Sequence, residues 1–322
     1  METTAPQADN LPQVAPPASH QSTAERNTLA TPVELGGVGL HSGIESRVCI
    51  RPAPAFSGRA FVRTDQPQSP VIPATVDRVV STQLSTELGV GEATVRTVEH
   101  VLAALAGMGI DDARIEIDGP EVPLLDGSAR LWAEAIAAAG RMPQGRRDIR
   151  CLDQPVHLQD GEAWLTAFPA DQCRFTYGID FDLPAIGNQW HSWSPAVEPF
   201  KDAIAPARTF AIAHQIEQLR QHGLIRGGSL DNALVCSDKG WLNPPLRFSN
   251  EPARHKLLDL VGDMSLIGFL PRAHIVAYRA SHRLHVQFAQ QLAASVACRN
   301  VLQDSASRNS TLLDSALQNS AP

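Results

Sequence analysis

The sequence predicts an α+β protein built in two parts, and three observations carry that prediction. At 322 residues the chain is longer than one hydrophobic core usually organises, which points to two domains. Strand-like and helix-like segments alternate along its body instead of separating into all-β and all-α blocks. A basic stretch containing Pro143 and Gly145, from Arg141 to Arg147, interrupts the alternation and marks the boundary. The expected domains are residues 28–147 and 148–303. Residues 1–27, rich in Pro, Ala, Gln and Ser, bury too little apolar surface to offset their ordering entropy and are expected to form a disordered tail. Residues 304–322 read as a flexible C-terminal tail.

In the first part, Val48 to Ile50 and Ala60 to Arg63 read as short strands. Thr97 can cap a helix whose Val98, Val101, Leu102 and Leu105 share one face, with Gly107 and Gly109 ending it. Arg114 to Asp118 alternates and is stopped by Gly119-Pro120, a strand and turn. Leu131 to Ala139 is an alanine-rich helix closed by Gly140. The second part offers strands around Val156, from Trp164 to Phe168, from Phe175 to Phe181 and from Leu234 to Cys236. Helices are expected from Ala211 to Gln221 and from Glu251 to Gly262 or beyond. Ala273 to Arg279 reads as a strand and Leu284 to Leu302 as a last helix. No motif repeats between the halves, so the residues alone do not display a duplication.

Composition removes several function classes. A formal charge of −7 and the absence of a basic stripe argue against a general nucleic-acid binder, which needs a dense cationic surface. Five widely spaced cysteines without a Cys-x-x-Cys pair suit reduced thiols rather than a disulfide frame. The first residues show neither a basic nor an apolar signal region. No uninterrupted apolar run approaches the roughly 20 residues of a membrane span. The expectation is a cytoplasmic monomer with no transmembrane segment.

Two spacings carry candidate chemistry. His255 and Asp259 lie four residues apart on a helix, so their side chains point the same way and can share one ion. An exposed His–Asp helix pair is the plainer reading of the same spacing. Glu99 and His100 are adjacent in a first helical turn and diverge by about 100°, so one can ligate a metal while the other addresses a water beside it. Alternatively, Glu99 merely favours a helix N-terminus and His100 is a surface residue. Three N/O ligands with an open position are what a catalytic zinc requires, and a nearby carboxylate can then take a proton from water.

Several segments, in order, resemble the UDP-3-O-acyl-N-acetylglucosamine deacetylase family, a zinc amidase of lipid A biosynthesis. They include Gly37-Val38-Gly39-Leu40-His41-Ser42-Gly43, Thr97-Val98-Glu99-His100 with its run to Gly107, and Pro120-Glu121-Val122-Pro123-Leu124-Leu125-Asp126-Gly127. The second half adds Ile179 to Ile186, Ala207-Arg208-Thr209-Phe210, Gly227-Gly228-Ser229-Leu230-Asp231, and Arg254-His255-Lys256-Leu257-Leu258-Asp259 with Gly262-Asp263. The resemblance covers nearly all of residues 30–300. It implies two similar α+β halves, each layering helices on a small sheet, with the active site between them.

The same resemblance implies zinc on His100, His255 and Asp259, with Glu99 as general base. His282 matches an assisting histidine and Asp263 the carboxylate that orients it. Thr209 matches a hydroxyl at the oxyanion, and Lys256, Asp180 and Phe181 match contacts to the UDP-linked acylated glucosamine. Phe210 and His41 fall in the sugar and acyl region, and Leu224 to Val235, loosened at Gly227-Gly228, is the candidate acyl groove. Taken singly, Lys256 reads as a solvated lysine, Phe181 as a buried strand residue and His282 as a polar strand-end residue. The chain departs from the family around His282, where Ser281 replaces a usual Gly and His285-Val286 stand where Asn residues are usual. His285 is therefore a rival for the role of His282.

Overall fold

The computed structural model describes residues 23–295, and within them the chain builds one arrangement twice. The first unit runs through β1 (Thr23–Leu29), β2 (Val33–Val38), β3 (Glu45–Pro52), β4 (Arg59–Arg63) and β5 (Val71–Pro73). It continues through β6 (Val79–Ser81), β7 (Glu87–Val90), β8 (Ala93–Arg96), α1 (Glu99–Gly107), β9 (Ala113–Ile117), α2 (Arg130–Ala139) and β10 (Arg141–Asp148). Its main sheet has the order β2-β3-β9-β4-β5, with β9 inserted parallel to β4 and every other neighbour antiparallel.

The second unit starts with β11 (Val156–Asp160), β12 (Ala163–Pro169), β13 (Arg174–Asp180) and β14 (Asn188–Trp193). Then come α3 (Phe200–Ala203), β15 (Phe210–Ile212), α4 (Ala213–Gln221), β16 (Leu234–Ser237), β17 (Gly240–Trp241), α5 (Glu251–Met264), β18 (Ala273–Tyr278) and a helix over 282–295, here α6. The main sheet is β11-β12-β18-β13-β14, again with the late strand inserted parallel to the third and the rest antiparallel. Each unit also carries a small sheet just before its central helix, β6-β7-β8 and β15-β16-β17. The two halves are thus similar, as the resemblance implies. The repeat is one of topology, which the side chains do not display.

Alternation builds the sheets. Ser46, Val48 and Ile50 of β3 are buried, as are Ala113, Ile115 and Ile117 of β9 and Ala273, Ile275 and Ala277 of β18. α2 buries one stripe, Trp132, Ala133 and Ile136, against its sheet. α1 is buried from Glu99 to Leu105 because α5, α2 and α3 all pack against it. α1 and α5, equivalent helices of the two units, meet at Gly262. A Cβ there would stand 2.2 Å from the Glu99 carbonyl oxygen, so only a hydrogen atom fits.

Four local expectations need correction. Thr23 to Asn27, read as the end of a disordered tail, form β1 with Thr28 and Leu29, and β1 pairs antiparallel with β10. The stretch from Arg141 to Arg147 is therefore a strand in a ladder, stabilised by main-chain pairing that its polar composition conceals. Thr97 does not cap α1. It has φ +58, a left-handed conformation rare for a β-branched residue, and its hydroxyl donates to Glu121 Oε1 at 2.7 Å. Residues Phe210–Ile212 are strand, paired parallel with β16, so the expected helix begins only at Ala213. α6 starts at 282; the end of the helix expected to reach Leu302, like residues 1–22 and 304–322, lies outside the described residues.

Candidate metal centre and active site

α1 and α5 meet where the spacing argument needs them. His100 is the second residue of α1, while His255 and Asp259 sit one turn apart on α5, and the three ligand atoms lie within 4.8 Å of one another. Asp259 Oδ1 is 3.4 Å from His255 Nε2 and 3.6 Å from His100 Nε2. His255 and Asp259 are each only 2% exposed, which rules out the plainer reading of a solvated helix pair. His255 Nδ1 lies 3.0 Å from the Ala207 carbonyl, and donating its proton there leaves the Nε2 lone pair facing the cluster. Burial drives the His255 pKa down to about 4, keeping the imidazole in the neutral form a metal requires.

Asp259 supplies the test of fit. Its Oδ2 accepts a hydrogen bond from Lys256 Nζ at 2.9 Å, whereas its buried Oδ1 has no hydrogen-bond partner among the described residues. Burial alone would raise its pKa, but the charges of Lys256, His255 and His282 hold it well below the usual carboxylate range. An ionised, buried oxygen left unpaired between two imidazole nitrogens costs free energy unless a cation takes it. The donor set, two imidazoles and a carboxylate, is one that zinc accepts.

Beside the cluster lies an acid–base group. Glu99 is 3% exposed, and burial raises its pKa against the opposing charges of His282 and His100. Glu99 Oε1 and Asp259 Oδ2 each lie 3.8 Å from His282 Nε2. His282, in the first turn of α6, turns its Nδ1 to Asp263 Oδ2 at 2.8 Å. Burial would lower the His282 pKa, but the charges of Asp263 and Glu99 raise it to about 9. Burial likewise opposes ionisation of Asp263, yet His282 and His285 bring its pKa down to about 2.

His285 is separated from the cavity by that carboxylate. Its Nδ1 contacts Asp263 Oδ2 at 2.9 Å, and its Nε2 faces the Tyr177 hydroxyl at 3.0 Å. His282 therefore lines the cavity and His285 backs it. Asp263, His282 and His285 also satisfy the distances of a metal cluster, but both Nδ1 atoms are already engaged with Asp263, so they read as a hydrogen-bonded network.

The cluster opens into a cavity of about 470 Å³. Thr209, Phe210 and His41 line it, and the side chains of Ile216, Leu219, Ile225, Val235 and Leu242 make up its apolar arm. Thr209 is held by its backbone N–H to the Gly127 carbonyl at 2.7 Å, and Gly127 has φ +81 with the Asn232 carbonyl oxygen 2.0 Å from where a Cβ would lie. Asp180 and Phe181 line an adjacent cleft, and Lys256 borders both spaces. Phe181 packs edge-on against Phe210 at 5.5 Å, and Asp180 Oδ2 accepts from the Tyr278 hydroxyl at 3.1 Å. All twelve expected site residues thus fall on the cluster, its cavity or the neighbouring cleft, save Asp263, which stands behind His282.

Sequence reasoning missed Glu121 and Thr86. Glu121, 1% exposed, accepts the backbone N–H groups of His41 and Ser42 at 2.9 and 2.7 Å and so shapes the loop carrying His41. A Cβ on Gly39 would lie 2.5 Å from Glu121 Oε2, so a glycine in that loop makes room for the carboxylate. Glu121 stood in a recognised segment and could have been flagged as an acid among apolar neighbours. Thr86 offered no such signal.

A paired α+β fold with two histidines, a carboxylate and an adjacent buried glutamate defines the class of a metal-dependent hydrolase. The family model for LpxC, UDP-3-O-acyl N-acetylglycosamine deacetylase, matches residues 26–294, and the chain belongs to this family. It is 59% identical over 276 residues to a UDP-3-O-acyl-N-acetylglucosamine deacetylase of Nostoc sp., covering 84% of this chain and 99% of that protein. Proteins of the same name from Thermosynechococcus vestitus and Synechocystis sp. are 55% and 54% identical, covering 84% and 83% of this chain and 95% and 98% of theirs. Among the described residues no helix is long and apolar enough to cross a membrane.

Proposed function

We propose that this protein hydrolyses the N-acetyl group of a UDP-linked 3-O-acyl-N-acetylglucosamine, releasing acetate and the free amine at an early step of lipid A biosynthesis. The observation that carries the reading is the unpaired, buried Asp259 Oδ1 between His100 and His255, beside a buried Glu99 at the head of an apolar cavity. Zinc held by His100, His255 and Asp259 would supply Lewis acidity and make water a better acid at the open position.

The chain's own groups do the rest. Glu99 takes the proton of the attacking water, a task suited to a carboxylate whose burial raises its basicity. The Thr209 hydroxyl donates to the amide oxygen as negative charge gathers there. His282, held as a cation by Asp263, adds positive charge on the same side, and either it or the protonated Glu99 delivers a proton to the departing amine. Lys256, Asp180 and Phe181 hold the nucleotide-sugar portion, Phe181 by its ring face. Phe210 and His41 border the sugar, and the apolar arm between α4 and residues 224–235 receives the 3-O-acyl chain.

We place this reaction in the cytoplasm and assign it to the monomer. The free thiols of Cys49, Cys173 and Cys236 support a reducing compartment, although Arabidopsis thaliana relatives 44% identical to this chain carry the word mitochondrial in their names. The test measures zinc per chain and acetate release from the UDP-linked substrate with and without its 3-O-acyl chain. About one zinc per chain, acetate release lost on chelation and a strong preference for the acylated substrate are expected. Full activity in metal-free protein overturns the metal assignment, and equal turnover without the acyl chain overturns the role of the apolar arm.

A further inference from the structure

We propose that Thr86 is a positioning residue that holds Glu99 and the Asp263–His282 pair in one frame across the two halves of the molecule. The inference rests on the roles given above to Glu99 and His282. Thr86 is fully buried, and every polar group it owns is spent on this site. Its backbone N–H donates to Glu99 Oε2 at 3.1 Å. Its hydroxyl donates to Asp263 Oδ1 at 2.6 Å and stands 3.4 Å from His282 Nδ1. Its carbonyl accepts the N–H of Val98, the residue before α1, at 3.3 Å.

The local fold explains how one residue reaches so many partners. Thr86 immediately precedes β7, whose Glu87 pairs with Arg96 of β8. Thr97, left-handed at φ +58, turns the chain from β8 into α1 within two residues. That turn folds Val98 and Glu99 back over Thr86 while α5 brings Asp263 from the other unit. The strained Thr97 conformation and the Thr86 contacts are therefore parts of one device.

The hydroxyl has a specific task. Asp263 receives His282 Nδ1 and His285 Nδ1 on Oδ2, and Thr86 is the donor on Oδ1. With both oxygens engaged, the carboxylate plane is fixed, and the direction in which it aims His282 is fixed with it. Without the hydroxyl, a fully buried Oδ1 has no donor among the described residues, and the carboxylate can rotate to recover one. His282 Nε2 would then drift from its place 3.8 Å from Glu99 Oε1. Misplacement of reacting groups by about 1 Å is enough to cost roughly 10²-fold in rate.

The test compares Thr86→Val, which keeps the shape and the backbone N–H, with Thr86→Ser, which restores the hydroxyl, in the zinc-loaded enzyme on the UDP-linked substrate. Thr86→Val is expected to retain zinc and a KM within about twofold while kcat falls by roughly 10-fold to 10²-fold. Thr86→Ser should return kcat to within about threefold of the parent. In an Asp263→Ala background Thr86→Val should add almost nothing, because the hydroxyl acts through that carboxylate. Wild-type kcat in Thr86→Val, a rise in KM alone, or fully multiplicative losses with Asp263→Ala each overturn the proposal. Should Thr86→Val not fold, Thr86→Cys, similar in size with a weaker donor, carries the same comparison. Glu99→Ala in the same assay separates the two levels: if it turns over normally the reading of the base fails, whereas its loss beside a normal Thr86→Val leaves that reading intact and removes Thr86.

Discussion

Gly262→Ala offers a direct probe of how closely the two units must approach. The added methyl would sit 2.2 Å from the Glu99 carbonyl oxygen, against roughly 3.3 Å for an ordinary C···O contact. The start of α1 must retreat by about 1 Å, carrying Glu99 and His100 with it. Overpacking of this kind costs about 1–3 kcal/mol, while replacing glycine by alanine within a helix returns about 1 kcal/mol. The net loss of stability is then no more than about 2 kcal/mol, a fall in Tm of at most about 8 °C for a chain of this size. Activity should suffer more, because a 1 Å displacement of the base costs roughly 10²-fold in kcat. Thermal unfolding and steady-state kinetics on the same preparation separate the two effects, with KM expected to change little because Lys256 and Phe181 lie elsewhere. A variant with raised Tm and undiminished kcat would refute the reasoning, since it would mean that the helices do not meet at this glycine.

Other outcomes follow from the same geometry. Glu99→Ala should keep its zinc and still bind substrate while losing roughly 10²-fold or more in kcat, whereas His100→Ala should lose the metal; metal analysis beside kinetics reads both. Phe181→Ala should raise KM for the UDP-linked substrate while leaving zinc content unchanged, and an unaltered KM removes the stacking role. In metal-free protein, His282 has its pKa raised to about 9 from an ordinary 6.5, so its contribution to stability is complete below about 6.5 and disappears as the pH rises through about 9. Urea unfolding at pH 6.5 and 9.5 should therefore show a larger loss in the parent than in His282→Gln, and equal losses contradict the Asp263–His282 ion pair.

What the sequence revealed depends on how far apart the contacting residues lie. His255 and Asp259 share a helix face, so their partnership follows from a spacing of four. The short strands Val48 to Ile50 and Ala60 to Arg63 were legible from their β-branched and aromatic content. Thr86 was not, because its partner Asp263 is 177 residues away and a single threonine carries no periodic signal. The rivalry between His282 and His285 was likewise undecidable from neighbours alone; only the position of Asp263 between the second imidazole and the cavity separates them. The duplication was hidden for a related reason: strand order and direction repeat, while burial demands only that each face be apolar. β1 and β10 escaped notice because an outlying two-stranded ribbon needs backbone pairing more than hydrophobic side chains.

That ribbon has a mechanical meaning. β10 is the segment through which the first unit hands the chain to the second, and β1 is bonded along it from Thr23 opposite Asp148 to Leu29 opposite Arg141. Gln144 Nε2 donates to Asp112 at 2.7 Å and Arg147 meets Asp111 at 3.0 Å, so the ribbon is also fastened to the body beneath. A connector splinted in this way is held to the first unit as far as Asp148, because bending it there would break the ladder and its anchors together. Just beyond the ribbon, the Arg272 N–H of the second unit donates to the Arg150 carbonyl at 2.8 Å, so both units grip the crossing within a few residues. The 3.8 Å spacings of His282 Nε2 from Glu99 Oε1 and Asp259 Oδ2 are accordingly set within the folded chain, before any ligand arrives.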